Sequence, residues 1–154
     1  MTRLRIHTRL PIVLPARITD ALINRLKSSR LNIVTVVHAN HANEINDEVG
    51  TALTKLHGDN LHVLNQSVLL KDINDSAHSL KALSERLFTY RVLPYYLHLL
   101  DAVKGAHHFD VPQAQAQAIM LELQAILPGF LVPKLVKEVH GRPSKTPIST
   151  PLNN

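Results

Sequence analysis

The sequence contains no cysteine and no tryptophan, and only five glycines, three tyrosines and three phenylalanines. Without cysteine there is no disulfide framework, no thiolate metal site and no iron–sulfur ligand within these 154 residues. The lack also fits a reducing cytosol, so a cytoplasmic location is the expectation. So few glycines leave no Gly-x-Gly-x-x-Gly, no Gly-x-x-x-x-Gly-Lys-Ser/Thr and no Gly-x-Ser-x-Gly, which argues against dinucleotide, P-loop and nucleophile-elbow chemistry. Long apolar runs are missing too. Asn, Gln, His or a charge interrupts each one, as Asp101 does after Val92–Leu100, short of the ~18 residues a membrane span needs. The first residues, Met-Thr-Arg-Leu-Arg-Ile-His, lack the apolar stretch of a signal peptide.

Charge is moderate. Seventeen Lys and Arg against twelve Asp and Glu give a net +5, but the basic residues are scattered and aromatics for stacking are scarce. A nucleic-acid surface needs clustered cations or stacking platforms, so nucleic acid is not expected as a partner. With 45% hydrophobic residues, the chain has enough apolar content to fold as one domain or a large part of one.

What the chain has is a repeat. Apolar, β-branched runs at Leu4–His7, Asn32–His38, Leu61–Ser67, Val92–Leu97 and Leu131–Val136 begin about thirty residues apart, the size of a βα unit. Consecutive apolar positions, as in Ile33-Val34-Thr35-Val36-Val37, read as parallel strands covered on both faces. Helical patterns lie between them. Thr19, Asn46 and Asp75-Ser76 are start signals, Pro112 falls in the first turn of a fourth helix, and Gly58 and Pro128-Gly129 are stops. The order predicts an α/β fold with about five parallel strands and four helices. That is either an open doubly wound sheet or an arc of a partial TIM-type barrel. Residues 142–154, rich in Pro, Ser, Thr and Asn, read as a loop and a partly ordered tail after a body of 1–141.

Parallel α/β folds place chemistry beyond the carboxyl ends of their strands. That rule selects His7, Thr8 and Arg9 after the first strand, and His38, Asn40, His41 and Glu44 after the second. It also selects Asn65 and Gln66, then His98 and Asp101, and finally Glu138 and His140. Each has an ordinary structural role open to it: loop histidines bonded to backbone, a carboxylate capping a helix, or Asn65-Gln66 satisfying neighbouring loops. Metal ligation by His38 and His41 lacks a supporting carboxylate or cysteine pattern.

Several strings resemble one family: residues 4–19, His-Ala-Asn-His-Ala-Asn-Glu-Ile at 38–45, Asn-Gln-Ser-Val-Leu-Leu at 65–70, Asn-Asp at 74–75, Pro-Tyr-Tyr-Leu-His-Leu-Leu-Asp at 94–101 and Pro-Ser-Lys-Thr-Pro at 143–147. In order, they resemble the carboxyl-terminal half of the lysine 2,3-aminomutases. The nearest branch is the one that makes (R)-β-lysine for modifying elongation factor P. The resemblance implies a radical S-adenosylmethionine enzyme that also uses pyridoxal phosphate and a [4Fe–4S] cluster, built on a partial barrel. In such enzymes an adenosyl radical takes a hydrogen from carbon 3 of lysine, and the amino group moves from carbon 2 to carbon 3.

By resemblance, Lys145 is the lysine that carries pyridoxal phosphate, and Asp101 and Glu138 hold the side-chain ammonium of the lysine substrate. Gln66 lies near the pyridoxal cofactor and His38 near S-adenosylmethionine. Two departures stand out. Gly141-Arg142-Pro143-Ser144 replaces a glycine run before the cofactor lysine, and Glu138 replaces an aspartate; both match the elongation-factor branch. A larger departure is the missing Cys-x-x-x-Cys-x-x-Cys motif. The expectation is therefore a fragment that needs an amino-terminal half as its partner. The alternative is a non-catalytic half-barrel or small-molecule-binding domain, whose open strand edges would favour self-association into a homo-oligomer.

Overall fold

A computed structural model describes residues 2–100 and 107–150. Its elements are β1 (Arg3–His7), α1 (Leu10–Val13), α2 (Asp20–Lys27), β2 (Asn32–His38), α3 (Asp47–Lys55), β3 (Leu61–Leu69), α4 (Ala77–Thr89), β4 (Leu93–Leu99), α5 (Gln113–Ile126), β5 (Lys134–Lys137) and β6 (Thr146–Pro147). The strands form one sheet in the order β1-β2-β3-β4-β5-β6. The first five are parallel, and β6 runs antiparallel to β5. A doubly wound sheet reverses its strand order partway, whereas strands laid down strictly in sequence make an arc of a barrel. The half-barrel alternative is the one this chain adopts.

The helix starts follow the expected chemistry. Thr19 Oγ1 accepts from the Leu22 N–H, Asn46 Oδ1 from Val49 and Ser76 Oγ from Ser79, each satisfying a first-turn donor. Pro112 stands just before α5 as its cap residue. The short helix α1 was not anticipated; Pro11 in its first turn suits the fixed φ of proline.

Two expectations are corrected. First, the strands are not covered on both faces. Along β3, Leu61, Val63, Asn65, Ser67 and Leu69 are buried, while His62, Leu64, Gln66 and Val68 are exposed or half-buried. The helices pack on one face only, as two apolar clusters. One joins Val37 and Val63 to Leu53 and Leu87, and the other joins Leu69, Leu97 and Leu135 to Leu80 and Leu123. The opposite face is the concave inside of the arc. Reading the register across it aligns Arg5 with Val34, His38 with Gln66, Gln66 with Tyr96, and His98 with Val136.

Second, the segment after residue 141 contributes a sixth strand, where only a loop and tail were expected. The N–H of Arg142 donates to the Val139 carbonyl at 3.1 Å, closing a turn in which Gly141 has φ +81°, a value that favours glycine. The reversed chain pairs Thr146 with Lys137 and Pro147 with Val136, and buried Ile148 joins the second apolar cluster. Burying that one side chain gives an otherwise polar segment a reason to be ordered.

Candidate functional site

The β5–β6 turn sets up the site. Its register opposes Lys137 to Thr146, so one step further along the turn Glu138 faces Lys145. Directly opposed residues of an antiparallel pair point to the same side, and here that is the concave face, because Glu138 follows Val136 by two. The Lys145 ammonium donates to Glu138 Oε1 at 2.8 Å and lies 5.8 Å from the centre of the Tyr96 ring. The donated hydrogen bond and the adjacent positive charge hold the Glu138 carboxyl below the ordinary carboxylate range.

Beneath this pair is a cavity of about 340 Å³ whose wall includes His38, Gln66, His98, Glu138 and Lys145. A second hollow of about 550 Å³ shares Glu138 and Lys145 and opens toward Arg5, His140 and Arg142. Four of the five site residues expected from the sequence thus meet at one place: His38, Gln66, Glu138 and Lys145. The fifth, Asp101, lies outside the described residues.

The floor is histidine-rich, and each of its rings is held below the ordinary histidine pKa. His98 has its pKa pushed down to about 4, first by burial and then by the positive Lys145, against a smaller opposing pull from Glu138. Burial first, then neighbouring cations, also lowers His38 and His7. Their rings stand 6.1 Å apart, edge to face. Gln66 Nε2 lies 3.4 Å from His38 Nδ1, and among the described residues Gln66 Oε1 is buried without a hydrogen-bond partner, as is His98 Nε2. Buried polar atoms without partners are unusual in folded proteins, and where they line a cavity they mark a place for a ligand's polar atoms.

Other residues selected at the strand ends turn out to be scaffold. Asn65 is buried and bonds both backbone groups of Ala39, accepting from its N–H at 2.8 Å and donating to its carbonyl at 3.0 Å. Glu44 accepts from the N–H groups of Asn40 and His41. His41 Nδ1 accepts from the Asn43 N–H, and Thr8 Oγ1 accepts from Leu10. Arg9 reaches Glu44 at 3.6 Å. His140 stays exposed on the turn and borders the outer hollow. Among the described residues, no group of three or more His, Asp or Glu side chains gathers to hold a metal.

Tyr96 and Arg5 lie outside the residues that the strand-end rule selects, whereas His98 is among them. The signal was available in the two-residue alternation of β4, which puts Tyr96 and His98 on one face. It is masked by a bulge: Asn65 pairs with Pro94 but Gln66 pairs with Tyr96, so Tyr95 is an extra residue and its ring lies 3.8 Å from that of Tyr96.

No protein-family model matches the chain. Among curated proteins it is 53% identical over 150 residues to the L-lysine 2,3-aminomutase of Escherichia coli strain K12, an alignment covering 97% of this chain and 44% of that one. It is 52% identical to the L-lysine 2,3-aminomutase of Haemophilus influenzae, covering 95% and 43%, and 38% identical to that of Clostridium subterminale, covering 94% and 34%. Among solved structures, a radical SAM methyltransferase from Sphaerobacter thermophilus superposes with a TM-score of 0.53 over 76% of this chain and 37% of its own, at 17% identity, a likeness of fold alone. The chain spans less than half the length of the curated relatives it matches. Over nearly all of its own residues, it belongs to the L-lysine 2,3-aminomutase family.

Proposed function

We propose that this chain forms the substrate- and pyridoxal-binding side of an L-lysine 2,3-aminomutase, converting L-α-lysine to (R)-β-lysine in concert with polypeptide outside this sequence. The observation that carries the reading is the opposition of Glu138 and Lys145 across the β5–β6 turn. Glu138 already accepts a hydrogen bond from a lysine ε-ammonium, the group that the substrate would present at its far end. In this reading the substrate ammonium takes the place of Lys145 at Glu138, with Asp101 as the second anion. A side chain too short to reach, or lacking the charge, would leave a carboxylate unpaired, and that penalty is the basis of selection for lysine.

The residues present fit an aldehyde cofactor. Lys145 is a primary amine at the mouth of the cavity, and the cavity wall carries two unbonded buried polar atoms. Pyridoxal phosphate, when bound, supplies an aromatic system that can delocalise an unpaired electron beside the substrate nitrogen. Lys145 would anchor it, Tyr96 would cover one side, and Gln66 would fix its orientation. His38, at the C-terminal end of β2, would be the residue that meets S-adenosylmethionine. The residues do not fit a [4Fe–4S] cluster, because the sequence has no thiolate to bind one. Glu138 and the Gly141-Arg142-Pro143-Ser144 approach to Lys145 favour the branch serving elongation factor P, with a location in the cytoplasm.

The missing thiolates also support a second reading, a half-barrel that binds a cationic amino acid without converting it. The test is to add, in trans, the remaining amino-terminal segment of the Escherichia coli relative with S-adenosylmethionine, pyridoxal phosphate and a reductant, and to measure β-lysine formed from L-lysine. Product that disappears with Lys145→Arg supports the aminomutase. Lysine binding without product supports the second reading.

A further inference from the structure

Arg5 sits in the middle of β1 on its concave face, two residues before His7. It lines the outer hollow of about 550 Å³ together with Tyr96, Glu138, Ser144 and Lys145. Its positive charge is felt at His7, as is that of Lys145, and at Tyr95, whose hydroxyl donates to Tyr96. Two other cations near this face have anions of their own. Arg9 reaches Glu44 at 3.6 Å and Lys145 reaches Glu138 at 2.8 Å, whereas among the described residues Arg5 forms no ion pair.

Around the hollow, Arg5, Arg142 and Lys145 stand against the single carboxylate Glu138, which leaves positive charge in excess. Excess cation in a concave wall draws an anion, and the planar fork of arginine matches the oxygens of a phosphate or a carboxylate. Arg5 stands on a sheet strand, where its backbone is fixed, while Arg142 stands on an exposed turn. The aldehyde carried on Lys145 brings an anion with it. In pyridoxal phosphate the phosphate arm leaves the ring from the carbon next to the one bearing the aldehyde. A ring attached at Lys145 therefore delivers its phosphate to the space that Lys145 borders. A phosphate monoester carries about −1.5 to −2 charges near pH 7, more than a carboxylate supplies.

We propose that Arg5 is a cofactor-binding residue of this site, its guanidinium taking the phosphate ester of the aldehyde attached to Lys145. This rests on the assignment of Lys145 as the amine that takes the aldehyde. It gives Glu138 and Arg5 separate duties: the carboxylate is kept for the substrate ammonium, and the guanidinium holds the anchored end of the cofactor.

The experiment compares two probes on the full chain, pyridoxal phosphate and pyridoxal, which lacks only the phosphate. Each is titrated at fixed ionic strength, trapped with borohydride and quantified on Lys145 by peptide mass mapping. Nα-acetyl-lysine gives the intrinsic ratio of the two probes, including the hemiacetal that pyridoxal forms within itself. Wild type is expected to favour the phosphorylated probe at least about tenfold beyond that ratio, the worth of one charge-assisted hydrogen bond, and inorganic phosphate should compete for the excess. Arg5→Gln removes the excess while leaving labelling by pyridoxal unchanged. Arg5→Lys, which keeps the charge without the fork, restores part of it, and Arg142→Gln retains most of it. Thermal unfolding shows that the variants fold, and Arg5→Lys against wild type carries the comparison if the Gln variant does not. An excess unchanged in Arg5→Gln, lost instead in Arg142→Gln, or absent from wild type overturns the role of Arg5 while leaving Lys145 in place. So does an unchanged excess in Arg5→Gln with protection by L-lysine lost and protection by cadaverine kept, which would give Arg5 to the substrate carboxylate. Labelling that ignores Lys145 altogether overturns the assignment of Lys145, and the role of Arg5 with it.

Discussion

Glu138 and Lys145 are a directly opposed pair across an antiparallel turn, with the ammonium nitrogen 2.8 Å from the carboxylate oxygen on the concave face of the half-barrel. Lys145 follows Glu138 by seven positions in the chain, and the turn through Gly141 makes them neighbours. The pair is wet, the Glu138 side chain being 68% exposed, so its value lies in recognition more than in holding the fold together.

Replacing Glu138 with Gln should therefore leave the unfolding midpoint nearly unchanged while weakening L-lysine binding to the pyridoxal-loaded chain about tenfold, the scale of a charge-assisted hydrogen bond. Norleucine, which lacks the ammonium, should lose nothing. Isothermal titration of both amino acids checks this; equal losses for the two would contradict it.

Stability should fall on acidification, beginning above the range where carboxylates titrate. The folded pKa of His98 is about 4, below its unfolded value of 6.5, and His38 and His7 are shifted in the same direction. The unfolded chain thus binds more protons, so the stabilising contribution is complete above pH 6.5 and drains away toward pH 4. Glu138, also lowered, adds its own loss only below its ordinary range near 4.5. Melting temperatures between pH 7.5 and 4.5 should decline, and His98→Phe should flatten the slope.

Gly50 in α3 has no room for a side chain. A β-carbon there would lie inside the ring of Tyr90, which is held by its hydroxyl on Asp47 and by Arg86 stacked 5.1 Å from its centre. Gly50→Ala should cost about 1–3 kcal/mol, the usual penalty for overpacking, despite the better helix propensity of alanine. Adding Tyr90→Ala should recover most of that penalty in denaturant titration.

Asn65 and Gln66 are adjacent in sequence and should behave in opposite ways. Asn65→Ala leaves the Ala39 N–H and carbonyl buried without partners and should destabilise the fold by about 2 kcal/mol or more. Gln66→Ala removes an atom already unsatisfied and should be near neutral for folding, while loosening the bound aldehyde. Urea unfolding paired with pyridoxal titration separates the two.

That contrast shows how far the residues alone could be read. The repeat of apolar runs and the capping residues Thr19, Asn46 and Ser76 located the five parallel strands and four main helices, because burial and first-turn donors are local requirements. Which of Asn65 and Gln66 faced the cavity depended on strand phase, and in the neighbouring β4 the bulge at Tyr95 breaks the alternation between Pro94 and Tyr96, while Tyr96 and His98 stay on one face. Consecutive apolar residues in β2 read as two-sided cover, yet only one face of the sheet carries helices. The pairing of β6 depended on Ile148 reaching a cluster built from distant segments, which no local pattern announces.

The most direct test of the account is to treat the full chain with pyridoxal phosphate, reduce it with borohydride and map the modified lysine. The account predicts one dominant label on Lys145, displaced by excess L-lysine and abolished by Lys145→Arg. Label distributed over the surface lysines, with Lys145 no richer than Lys27 or Lys81, would contradict it.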